Sequence, residues 1–101
     1  MIEIKTGNLE LEEGTIVIDF FATWCGPCKM LSPILAKLSE EEDYKGFKFW
    51  KVDVDENESL VKDFNIYAMP TLVIVKGGKE IARQVGLIPE DQLRDFLNQG
   101  K

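Results

Sequence analysis

The chain has 101 residues, 45% of them apolar, enough for one compact domain with its own core, and no composition shift or Gly/Ser/Pro-rich linker marks a second. Eighteen acidic against twelve basic residues give a net charge of −6, the wrong sign for a partner held through a nucleic-acid backbone. With two cysteines and no histidine, the chain cannot complete a tetrahedral zinc site from thiolate and imidazole ligands; only an intermolecular site, or one completed by carboxylates, remains open.

Residues 2–5 alternate as Ile-Glu-Ile-Lys, a short strand, and Thr6-Gly7-Asn8 is a turn signal. No basic run with a long apolar core opens the sequence as given, so no secretory signal is expected, and the longest apolar runs fall far short of the ~20 residues of a membrane span. Residues 9–12 alternate again before Gly14, which suits a small hairpin or an irregular link carrying one helical turn. Residues 15–22 form a nearly continuous apolar run of high β propensity, a buried strand interrupted by Asp19. An acid there is costly unless paired or neutral. It is either a structural ion-pair partner, or a locally exposed residue, or a buried acid of raised proton affinity that exchanges protons with Cys28.

Trp24-Cys25-Gly26-Pro27-Cys28 follows the strand and holds both cysteines. Thiols at i and i+3 on a first helical turn can meet the ~4.4–6.8 Å Cα separation that a disulfide needs. As a structural staple the pair would be poorly placed, because so short a loop yields only ~2 kcal/mol in the chain-entropy model. Reversible redox chemistry fits better, in the C-x-x-C and βαβ context. Pro27 suits a first helical turn. Leu31, Ile34, Leu35 and Leu38 then make one apolar face, and Pro33 should kink the helix. The helix N-terminus stabilises an anion, so Cys25 should be the thiolate and Cys28 the more buried partner, with Lys29 adding to the effect. Glu40-Glu41-Glu42-Asp43 closes the segment as a solvated charge run.

Residues 47–54 are the next strand, with Phe49, Trp50 and Val52 as core candidates. Lys51 is a second charge in a buried-looking strand; it either pairs with Asp19 beneath the cysteine turn or snorkels to solvent. Asn57 can cap a short helix reaching Phe64. Asn57-Glu58-Ser59 also matches a glycosylation acceptor, to which the absent secretory signal gives little weight. Pro70 precedes the strand at 72–76, where a proline is permitted. Gly77-Gly78 suits a hairpin turn to a strand at 80–85, and Pro89 opens a last helix with Leu93, Phe96 and Leu97 facing the sheet. Strands and helices alternate up to the final hairpin, which predicts an α/β fold with a mixed sheet flanked by helices on both faces.

In this order the chain closely resembles the thioredoxin family. The matching residues are Val17-Ile18-Asp19-Phe20, Trp24-Cys25-Gly26-Pro27-Cys28-Lys29, Pro33, Lys51-Val52-Asp53-Val54-Asp55, Met69-Pro70-Thr71, Gly77-Gly78 and Val85-Gly86. The resemblance implies a single thioredoxin domain over residues 1–101 with a central sheet of about five strands. It also implies a cis bond before Pro70 and a Met69 backbone that pairs with an extended substrate segment. Trp24, Gly26, Pro27, Ala68, Met69, Pro70 and Gly86 would form the substrate surface. Cys25, Cys28, Asp19 and Lys51 would carry the chemistry, Asp19 as the buried acid with Lys51 near it. Phe21 stands where many members have tryptophan, Met69 is bulkier than usual, and the short segment before Thr15 implies a missing or reduced first helix.

The implied activity is protein disulfide reduction and electron carriage by a Cys25/Cys28 dithiol-disulfide couple, with no bound cofactor and no metal. An external flavin-dependent reductase, linked to NADPH or ferredoxin, would restore the dithiol. The expected partners are that reductase and disulfide-containing proteins, with neither nucleic acid nor membrane, for a cytoplasmic monomer. A disulfide oxidase or isomerase of an oxidising compartment would use the same fold, but Gly-Pro between the cysteines, with no histidine, favours a reductant. A non-catalytic interaction module using the same surface would not need both thiols.

Overall fold

The computed structural model describes the backbone of residues 2–4 and all of residues 14–101. The expectations for residues 5–13, a hairpin or a link in place of a full first helix, lie outside the described residues. The elements are β1 (Ile2–Ile4), β2 (Thr15–Phe21), α1 (Gly26–Ser39), β3 (Lys48–Asp53), α2 (Glu58–Asp63), β4 (Thr71–Lys76), β5 (Lys79–Val85) and α3 (Glu90–Asn98), with one 3-10 turn at Glu42–Tyr44. The strands form one five-stranded sheet in the order β1-β3-β2-β4-β5. β1 and β2 run parallel to β3, while β4 is antiparallel to both β2 and β5. The mixed sheet follows from the connections, since α1 is a crossover long enough to return a parallel strand and Gly77-Gly78 is a tight turn. Both glycines have positive φ, +61° and +80°, the backbone that a two-residue hairpin turn demands.

β2 lies between two neighbours and all seven of its residues are buried. Its side chains alternate between two cores. Val17, with Phe49, Leu72 and Ile74, packs against Leu31, Leu35 and Leu38 of α1 and Leu93, Phe96 and Leu97 of α3. Ile16, Ile18 and Phe20, with Val52, Val73 and Val75, pack on the other face against Leu60 and Ile66. Asp19 and Phe21 share the parity of Val17, so the break in the apolar run falls on the face covered by α1. That placement puts the carboxylate under the cysteine helix. Among the described residues no helix is long and apolar enough to cross a membrane.

Pro33 lies inside α1, as expected, with its ring exposed and no N–H to donate to the carbonyl of Lys29. Other local details differ from the sequence expectations. Asn57 holds the N-cap position of α2, but its side chain makes no capping bond there; its Nδ2 donates to the carbonyl of Asp53 at 2.9 Å. It is also buried, so the glycosylation match is sterically closed. Glu41 is more than a solvated charge. Arg94 of α3 donates to both its carboxylate oxygens at 2.6 and 2.7 Å and holds its carboxyl below the usual range.

Candidate active site

β2 ends at Phe21, and the chain turns at once into α1, with the Cys25 N–H donating to the carbonyl of Ala22 at 3.2 Å. Cys25 is the N-cap residue of α1, in extended backbone at φ −89° and ψ 113°, and its Sγ accepts the N–H of Cys28 at 3.2 Å. A sulfur thus holds the position usually given to a serine or aspartate oxygen. Negative charge on Cys25 Sγ meets a backbone donor and the positive end of the helix dipole. Cys25 and Cys28 are joined in a disulfide with Cα atoms 5.3 Å apart. Exposure hardly separates them, at 6% and 4%. The expected contrast in burial is therefore small, and the contrast between the two lies in their electrostatic surroundings.

Cys28 opens to the other side of the turn. It lines a cleft of about 530 Å³ together with Phe21, Ala22, Lys29, Ser32 and Lys51. Asp19 is not on the lining. It is 1% exposed, and its Oδ1 has no hydrogen-bond partner among the described residues. Burial pushes its carboxyl up to about 6, against the opposing pull of the Lys51 ammonium.

Asp19 and Lys51 stand opposite one another in the register of β2 and β3, as their opposite charges suggested. No ion pair joins them among the described residues. Instead Lys51 Nζ donates to Ser32 Oγ of α1 at 3.0 Å and lies 4.5 Å from the centre of the Phe21 ring. The lysine side chain is long enough to choose among several acceptors, and the position of α1 decides which it meets. Sequence spacing carried no signal for Ser32.

The loop before β4 completes the site. The Met69–Pro70 peptide bond is cis, and Met69 packs on the cluster of Phe21, Ala22, Cys25 and Cys28. The Thr71 hydroxyl donates to the carbonyl of Ala68 at 2.7 Å, and the Gly86 N–H donates to the carbonyl of Pro70 at 2.8 Å. Gly86 has φ +92°, so a side chain there would be strained, and the proline loop is tied to the end of β5. Gly26 and Pro27 are exposed on the first turn of α1. Trp24 is 67% exposed, its Nε1 donating to Asp55 Oδ2 at 2.9 Å, a link between residues 31 apart that spacing could not show. Tyr67, 81% exposed beside Ala68, was also not singled out from the sequence.

A cysteine pair whose first member caps a helix that follows a central strand, with a buried acid on the same sheet face and a cis-proline loop, defines a dithiol-disulfide exchange protein. The comparisons agree. The thioredoxin family profile matches residues 6–99. A thioredoxin of Haemophilus influenzae is 44% identical over 84 residues, covering 83% of this chain and 78% of the relative. Thioredoxin-2 of Saccharomyces cerevisiae is 49% identical over 74 residues, 73% of this chain and 69% of the relative. The X-ray structure of Fasciola hepatica thioredoxin superposes with a TM-score of 0.85 at 34% identity, covering 100% of both chains. That of Malassezia sympodialis thioredoxin gives 0.85 at 35% identity, covering 99% and 90%.

The chain belongs to the thioredoxin family. It is a protein-disulfide oxidoreductase, a dithiol-disulfide reductase and electron carrier whose redox group is its own cysteine pair.

Proposed function

We propose that Cys25 is the attacking thiolate and Cys28 the resolving thiol of a general protein disulfide reductase. The hydrogen bond from the Cys28 N–H to Cys25 Sγ, at the start of α1, carries this assignment, because it supports charge on Cys25 alone. Cys25 thiolate attacks one sulfur of a substrate disulfide; a mixed disulfide forms and the substrate's other sulfur leaves as a thiolate that takes up a proton. Cys28 then gives its proton to Asp19 and attacks Cys25 Sγ. The mixed disulfide breaks, the second substrate thiol departs, and two electrons have passed to the substrate as Cys25–Cys28 becomes oxidised.

The substrate segment lies extended along the Met69 backbone in the manner of an added strand, over Trp24, Gly26, Pro27, Ala68, Pro70 and Gly86. Lys51 acts from the cleft beside Cys28, as the cation opposite Asp19 across the sheet. Residues 1–101 work as one domain and as a cytoplasmic monomer. A flavin-dependent reductase drawing on NADPH or ferredoxin returns the dithiol. The test of the cysteine roles is a trapping experiment with a protein disulfide substrate. Cys28→Ser should accumulate a mixed disulfide through Cys25, visible as a covalent adduct by mass. Equal trapping by Cys25→Ser through Cys28 would reverse the assignment.

A further inference from the structure

The position of the Lys51 ammonium needs a cause. Side chains opposite one another on adjacent strands lie close on one face, and Asp19 offers a buried carboxylate oxygen with no hydrogen-bond partner among the described residues. A carboxylate is a stronger acceptor for an ammonium than a hydroxyl is. Yet Lys51 Nζ is on Ser32 Oγ at 3.0 Å. Two features of this chain account for it. Ser32 sits one turn after Cys28 on α1 and lines the same cleft, and Phe21 turns its ring to the ammonium at 4.5 Å, a cation–π contact.

We propose that Ser32 is a positioning residue, whose hydroxyl, with the Phe21 ring, holds the Lys51 ammonium off the Asp19 carboxylate and at the wall of the cleft beside Cys28. A direct ion pair would stabilise the ionised acid and weaken it as a proton acceptor. Parked on Ser32, the cation leaves Asp19 able to take a proton near neutral pH and stays beside the sulfur that loses it. This consequence for catalysis rests on the reading of Asp19 as the acceptor of the Cys28 proton.

The other charges near the pair leave Ser32 as the controlling contact. Lys29 of α1 is exposed on the cleft lining, Asp53 of β3 stands in register with Phe21, and Glu3 of β1 stands in register with Lys51 on its other flank. β4 places only Leu72 opposite Asp19. Neither Asp19 nor Asp53, the described carboxylates in register beside Lys51, makes an ion pair with it.

The test follows the Asp19 side-chain carboxyl by NMR across pH in the oxidised full chain, for wild type, Ser32→Ala, Ser32→Thr, Lys51→Met and the double variant Ser32→Ala/Lys51→Met. Ser32→Ala should lower the Asp19 midpoint by about one unit, as an opposite charge moves into contact. Ser32→Thr keeps the hydroxyl and should restore the wild-type value. In a Lys51→Met background Ser32→Ala should change nothing. A midpoint that is unmoved or raised in Ser32→Ala, or that falls equally without Lys51, overturns the proposal. The pH profile of mixed-disulfide resolution, measured on the same proteins, separates the two readings. If it follows the midpoint both stand, and if the midpoint falls while the profile stays, Ser32 positions Lys51 but Asp19 is not the acceptor.

Discussion

Replacing Asp19 with asparagine removes a titration while keeping the shape of the side chain. The carboxyl moves from an ordinary 3.8 to about 6 on folding, driven first by burial, and the residue is 1% exposed, so solvent does little to screen it. At 1.36 kcal/mol per unit the difference is worth about 3 kcal/mol. The folded state binds the proton more tightly than the unfolded state. The stabilisation from the protonated acid is therefore present below the unfolded value and is lost as pH rises through the folded one. Wild type should weaken by about 3 kcal/mol relative to Asp19→Asn between about pH 3.5 and pH 8, with most of the change from ~4 to ~6. Any fixed cost of burying the amide is the same at every pH and drops out of that comparison. Urea unfolding of both oxidised proteins at a series of pH values measures it. A difference between the two proteins that stays constant across this range would refute the argument that Asp19 is buried with a raised proton affinity.

Three further outcomes are expected. If Asp19 takes the proton of Cys28 as proposed, Asp19→Asn should slow resolution of the mixed disulfide but not its formation, read by stopped-flow with a protein disulfide. Leu35→Ala, in the core under α1, should cost ~2–5 kcal/mol in denaturant titration while leaving the potential of the cysteine couple close to wild type. Gly86→Ala places a side chain at φ +92°. It should cost ~1–2 kcal/mol and raise KM for a protein substrate, since the same residue ties down the proline loop.

Much of the fold could be read from the sequence because its signals are local and periodic. The apolar run of β2, the i, i+3, i+4 face of α1 and the Gly77-Gly78 turn each state their own conformation, and alternation alone sends Asp19 to the face of Val17. The cysteine turn was legible for the same reason, as two thiols on one helical turn. What stayed hidden depends on where long side chains end. Lys51 and Asp19 could be matched by charge, but whether the ammonium goes to Asp19 or Ser32 depends on how α1 settles over the sheet. Glu41 finds Arg94, and Trp24 finds Asp55, across separations of 53 and 31 residues that no pattern encodes. The burial contrast expected between Cys25 and Cys28 came out small because both sulfurs belong to one cluster with Phe21 and Ala22.

The Cys25/Cys28 pair is a reductant, with charge on Cys25 supported by a helix N-terminus. The most direct measurement is its reduction potential, obtained by equilibrating the chain against a dithiol buffer and quantifying the oxidised fraction. The couple should be clearly more reducing than the oxidising catalysts of disulfide formation, which lie at about −120 to −180 mV. A value within that range would contradict it and make the chain an oxidant.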